Sequence, residues 1–254
     1  MQATTALVLV LLPVAVFANP VEVNFETSDG VRVFGDVYHS AAGRAAPLIL
    51  LFHQAGGDAR GEYSRIAVRL VENGYNVLAI DQRSGGDRFG GINRTMAGLE
   101  RQNYGYCEVA PDLQAALDYA RDAGFDGPLA AWGSSYSAAL VFQLAVTNPD
   151  RVNAVLGFSP ASGAPLADCA LQPLLAELAV PALALRPQQE FEIASVQAQM
   201  ADFATHGVQT YVANPGVHGS SMLDADRVGA TTEATWAVVL DFLGQTLDRP
   251  ETSD

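Results

Sequence analysis

This 254-residue chain predicts an α/β fold, a mostly parallel eight-stranded sheet flanked by helices. Three observations predict it: an alternating pair of runs at the start, six short apolar runs after it, and helical periodicity between those runs. Residues 21–25 and 31–37 alternate apolar and polar side chains around Ser28-Asp29-Gly30, as an antiparallel hairpin does. The runs 47–52, 76–80, 129–132, 152–158, 181–185 and 208–212 are mostly apolar, the composition of strands buried on both faces of a parallel sheet. Helical patterns lie near 62–73, 109–123, 136–147, 190–206 and 232–247. In the last of these, Trp236, Val239, Leu240, Leu243 and Leu247 fall on one face and predict a helix that covers the sheet.

One domain accounts for the length, since no repeat or low-complexity block interrupts it. Residues 6–17 are uninterruptedly apolar, the length of a signal-peptide core, and Val16-Phe17-Ala18 resembles a small-residue cleavage site. The expected organisation is a leader at 1–18, cleaved to release a periplasmic or secreted domain at 19–254; the alternative is an uncleaved membrane anchor. Net charge is −14 and all 14 basic residues are arginine, so nucleic acid is an unsuitable partner. Cys107 and Cys169 permit one disulfide in an exported chain, with two free thiols as the alternative.

Gly133-Ser134-Ser135-Tyr136-Ser137 joins the apolar run ending at Trp132 to an Ala-rich helical pattern. A serine on a sharp strand-to-helix turn is lifted off the backbone, and the following helix N-terminus offers N–H groups to a developing oxyanion. Ser137 replaces the final glycine of G-x-S-x-G. A serine that only caps the helix is the bland alternative. What favours catalysis is the order of other groups along the chain: a His-containing turn after an earlier strand, a carboxylate after a later one and a histidine after the last.

Four segments, His53-Gln54-Ala55-Gly56-Gly57, Ile80-Asp81-Gln82-Arg83-Ser84-Gly85-Gly86, Gly133-Ser134-Ser135-Tyr136-Ser137 and Val217-His218-Gly219, resemble the α/β-hydrolase superfamily, specifically its dienelactone-hydrolase-like and small serine esterase branch. They are spread over nearly the whole mature chain. The resemblance implies an α/β-hydrolase fold without a large cap domain, no cofactor and a nucleophile at Ser135. A serine hydroxyl needs an adjacent base held by a third group. His218, in the loop after the last strand, stands where the family places that base; His39 and His206 read as structural. The acid is expected at Glu190, with Glu192 as the alternative. The oxyanion donors are expected to be the backbone N–H of Tyr136 and that of Ala55 or Gln54, in the turn whose backbone freedom Gly56 and Gly57 provide. His53 occupies the position at which the family shapes that turn.

Two connections, 82–107 and 159–179, are long enough to wall a substrate pocket. Asp81 and Arg83 read as loop-shaping residues. Arg83, Arg88, Arg94 and Arg101 nevertheless crowd the first connection, and Arg83 and Arg88 join His53 as candidates to meet substrate, against a merely solvated loop. The histidines and cysteines lack metal-ligand spacing, so no metal is expected. A small carboxylic ester is the expected substrate, cleaved through an acyl-enzyme. Amide cleavage, acyl transfer and a catalytically inactive binding protein are the alternatives, and oligomeric state is left open. Branches that need a carboxylate nucleophile are excluded by Ser135.

Overall fold

A computed structural model describes residues 19–247; the leader expected at 1–18 lies outside the described residues, as do residues 248–254. The strands are β1 (Val21–Glu26), β2 (Arg32–Tyr38), β3 (Leu48–Phe52), β4 (Asn76–Asp81), β5 (Leu129–Ser134), β6 (Ala154–Phe158), β7 (Ala182–Pro187) and β8 (Gln209–Ala213). They form one sheet in the order β1-β2-β4-β3-β5-β6-β7-β8. β1 and β2 pair antiparallel, β2 meets β4 antiparallel, and every later pairing is parallel. This is the architecture that the runs of apolar residues anticipate.

The helices are α1 (Ala59–Glu72), α2 (Arg94–Ala97), α3 (Ala110–Asp122), α4 (Tyr136–Thr147), α5 (Gln188–Phe191), α6 (Ala194–Thr205), α7 (Ala225–Val228) and α8 (Glu233–Leu247). Period-2 alternation divides the core in two. Leu48, Leu50 and Phe52 of β3 point into one half with Leu117, Leu140 and Phe203. Ile49 and Leu51 point into the other, with Ile66, Trp132, Trp236 and Leu243. Strands β3 to β7 are buried along their whole length, whereas the edge strands β1 and β8 are partly exposed.

Several elements differ from expectation. The helix expected at 190–206 is two, α5 and α6, parted at Ile193, whose backbone is extended at φ −83°, ψ 124°. In α8, Phe242 is buried with Trp236, Val239, Leu243 and Leu247, while Leu240 is only partly buried. The two long connections carry short helical turns: α2 in the first, and 3-10 turns at Ala164–Cys169 and Gln172–Glu177 in the second. No large cap rises from them among the described residues. Cys107 and Cys169 form a disulfide, with Cα atoms 5.6 Å apart, that ties the two connections together.

An ion network fixes the first connection to the sheet. Arg94 donates to Asp81 at 2.6 Å and to Asp36 at 3.0 Å, and Arg60 of α1 donates to the other side of Asp36 at 2.8 Å. Burial alone would raise the Asp36 carboxyl, but the two guanidiniums reverse that and hold it below the usual range.

Candidate active site

Ser135 sits between β5 and α4 with φ 60° and ψ −117°, a backbone conformation that costs a non-glycine residue energy and lifts its side chain off the chain path. Neighbouring strands hold it there: its N–H donates to the Phe158 carbonyl at 2.8 Å, and its own carbonyl accepts from Ala161 at 3.1 Å. Gly133 is required, because a Cβ at that position would lie 2.3 Å from the Ser137 carbonyl oxygen. The departure at Ser137 has a physical role. Its buried hydroxyl donates to the His53 carbonyl at 2.7 Å and accepts from Gln82 Nε2 at 2.7 Å, tying the elbow helix to the ends of β3 and β4.

His218 follows β8 in a loop pinned to the elbow by two buried hydroxyls. The N–H of Gly219 donates to Ser159 Oγ at 3.0 Å, and that of Ser220 donates to Ser134 Oγ at 3.0 Å. Nδ1 of His218 is hydrogen-bonded to Oε1 of Glu190. The other carboxylate oxygen, Oε2, accepts from Arg186 Nη1 at 2.7 Å. Burial would raise the Glu190 carboxyl, but His218 and Arg186 outweigh it and bring it down to about 2. Glu192, the alternative, is exposed at the end of α5. Among the described residues the Ser135 hydroxyl makes no hydrogen bond, so its contact with His218 is open in this conformation. Such contacts often tighten only in the substrate complex.

The oxyanion turn separates the two expected candidates. Gln54 N–H donates to Glu62 Oε2 at 2.8 Å and is therefore committed, which corrects its assignment as a donor. The N–H groups of Gly56 and Gly57 are also engaged, to the carbonyls of Ser84 and Gln54. Among the described residues the N–H of Ala55 has no acceptor. Tyr136, the first residue of α4, has no helical carbonyl four residues before it to take its N–H.

Two further expectations are corrected. His53 does not face substrate: its ring is fully buried, Nδ1 donates to the Gln54 carbonyl at 2.8 Å and Nε2 accepts from the Gln82 N–H at 2.9 Å. Arg83 is likewise buried and saturated, with its guanidinium bound to Asp112 and Asp29. Arg88 is exposed at the rim, and its Nε donates to the Ala55 carbonyl at 3.0 Å. Arg101 pairs with Glu108 at 2.7 Å. His206 is bonded to its own helix and Asp202, away from these groups.

Beside Ala55 opens a cleft of about 480 Å³, lined by Gly56, Ser84, Asn103, Tyr104, Tyr106 and Pro165 among others. Its walls come from the two long connections. Tyr106, one of the lining residues, stacks on the buried Tyr136 at the start of α4 with ring centroids 4.7 Å apart. Arg186, Ser134 and Ser159 escape a reading of the sequence; a single arginine closing an apolar run four residues before Glu190 is the one signal of the first.

Residues 43–227 match the family described as serine aminopeptidase, S33. The quorum-quenching protein AidA of Acinetobacter baumannii (strain MDR-ZJ06) is 29% identical over 157 residues, covering 61% of this chain and 48% of that protein. The chain thus spans about half the length of this curated relative. Among solved structures, an esterase of Pyrococcus furiosus superposes with a TM-score of 0.69 at 14% identity, covering 91% of both chains. A Klebsiella pneumoniae chain assigned to the dienelactone hydrolases gives 0.66 at 17% identity over 90% of this chain and 100% of that one. Pyrococcus horikoshii acylaminoacyl peptidase gives 0.64 at 16% identity, covering 94% of this chain and 43% of that one. These likenesses show the α/β-hydrolase fold.

Proposed function

The chain belongs to the serine aminopeptidase S33 family and is an α/β hydrolase of the serine type; from that premise we propose that it cleaves small carboxylic esters through an acyl-enzyme at Ser135. In this reading His218 takes the Ser135 proton as the hydroxyl attacks the acyl carbon. Glu190 holds the imidazole in the tautomer that leaves Nε2 free for that proton. The N–H groups of Tyr136 and Ala55 receive the charge on the carbonyl oxygen, each contributing about 3 kcal/mol to the transition state. His218 then protonates the departing alcohol, and water repeats the sequence on the acyl-enzyme.

The observation that favours an ester over a peptide with a free amino terminus is the lining of the cleft. A site that selects a free α-ammonium group offers it an anionic partner. No aspartate or glutamate is among the residues that line the cleft, which are glycines and neutral polar, aromatic or aliphatic side chains. A neutral, small ester meets no uncompensated charge there. Arg88 at the rim remains available to an anionic substituent. Export to an oxidising compartment belongs to the same proposal, supported by the Cys107–Cys169 bond and the apolar run at 6–17.

A fluorophosphonate should label the wild type and not Ser135→Ala, and Ser135→Ala should lower kcat by about 10⁶-fold. Nitrophenyl esters of short acids should turn over faster than aminoacyl nitroanilides. An unlabelled wild type ends the hydrolase reading, and faster turnover of the anilides ends the preference for esters.

A further inference from the structure

Arg186 is the only charged residue of β7, and its side chain is 7% exposed. Its guanidinium stands behind Glu190: Nη1 donates to Oε2 at 2.7 Å while Oε1 meets His218. Nη2 donates to Gln199 Oε1 on α6 and to the carbonyl of Pro160, in the connection that forms one wall of the cleft. Among the described residues Nε is buried without a partner.

Stability alone gives little reason for an arginine here. Removing a guanidinium and a carboxylate from water costs desolvation that an apolar side chain of similar volume avoids, and the orphaned Nε adds to that cost. A catalytic carboxylate on glutamate does give a reason. Glutamate has one more rotatable bond than the aspartate used in many triads, so a single hydrogen bond to the imidazole leaves its carboxylate free to swing. A second anchor on the opposite oxygen removes that freedom, and a buried planar fork can hold Glu190, α6 and the Pro160 carbonyl at once.

We propose that Arg186 is a positioning residue of the hydrolytic site: it locks Glu190 in the rotamer that presents Oε1 to His218 and couples that rotamer to the cleft wall through Pro160. The inference rests on the serine-hydrolase reading of Ser135, His218 and Glu190. Arg186 touches no substrate, so its effect should fall on kcat and leave ground-state binding alone.

The test compares Arg186→Met and Arg186→Lys with the wild type by p-nitrophenyl acetate kinetics, fluorophosphonate labelling and the far-downfield proton resonance of the His218–Glu190 hydrogen bond, assigned by its loss in His218→Ala. Arg186→Met should lose about 10²-fold in kcat, the scale of a misplaced catalytic group, with KM within about twofold and the resonance lost. Arg186→Lys keeps a cation within reach of Glu190; it should recover at least about tenfold of that loss and regain the resonance. Wild-type kcat and an intact resonance in Arg186→Met overturn the inference. So does an Arg186→Lys enzyme with native near-UV circular dichroism that is no faster than Arg186→Met, or failure of both variants to fold, either of which makes the residue purely structural. If the wild type takes no fluorophosphonate, the hydrolase reading itself has failed; if it labels normally and Arg186→Met does too, only this inference has.

Discussion

Gly219, directly after the proposed base, holds φ +67°, and a Cβ there would lie 2.3 Å from Ser134 Oγ. Gly219→Ala is therefore expected to push the His218 loop off its two hydroxyl anchors and lower kcat by about 10²-fold, as steady-state kinetics would show. Glu190 makes a second prediction. Its carboxyl is brought from an ordinary 4.5 down to about 2, so the stability it contributes is complete above pH 4.5 and is lost as pH falls through about 2. Urea midpoints measured from pH 6 to pH 2 should fall less steeply for Glu190→Gln than for the wild type. Ser135, His218 and Glu190 could be picked out as candidates because each follows a strand whose apolar run is visible, and the structure pairs His218 with Glu190. Gln54, His53 and Arg83 were misjudged for one shared reason: their polar groups are consumed by Glu62, by Gln82 with the Gln54 carbonyl, and by Asp112 with Asp29, partners that no spacing along the chain discloses.

Among the elements, the two connections that wall the cleft behave as one body because Cys107 and Cys169 join them across 62 residues. Closing a loop of that length in the unfolded chain is worth about 4 kcal/mol. The paired substitution Cys107→Ser, Cys169→Ser should lower Tm by about 10 °C in calorimetry. It should also raise KM while leaving Ser135 reactive to fluorophosphonate, since backbone hydrogen bonds from β6 and the segment after it hold the elbow, whereas the walls are tied to the sheet through side chains. The strands were readable because burial on both faces leaves a continuous apolar signature. The turns inside the connections were not, because they rest on capping and ion pairs rather than on periodicity: Asn93 Oδ1 takes the Met96 N–H at 2.8 Å, and Arg94 is clamped by Asp81 and Asp36. The division between α5 and α6 was hidden for the opposite reason. Helical periodicity continues through Ile193, although its backbone is extended there, between the short α5 that carries Glu190 and the start of α6.

Across the whole molecule, three little-exposed arginines of an acidic chain, Arg83, Arg94 and Arg186, bridge separate segments of the sheet and its connections, while the half-exposed Arg60 ties α1 to Asp36 of β2. The fold class was evident from composition and patterning, whereas this division of labour among arginines required three dimensions. The cleft that these bridges support is roofless, bounded by covalently joined walls and reached directly from solution. Among the described residues no element closes over it, so product is expected to depart without a gate first swinging open. Sucrose added as a viscogen should slow encounter with substrate yet leave maximal turnover of p-nitrophenyl acetate nearly constant, and a turnover number that falls in step with microviscosity would betray a hidden moving part.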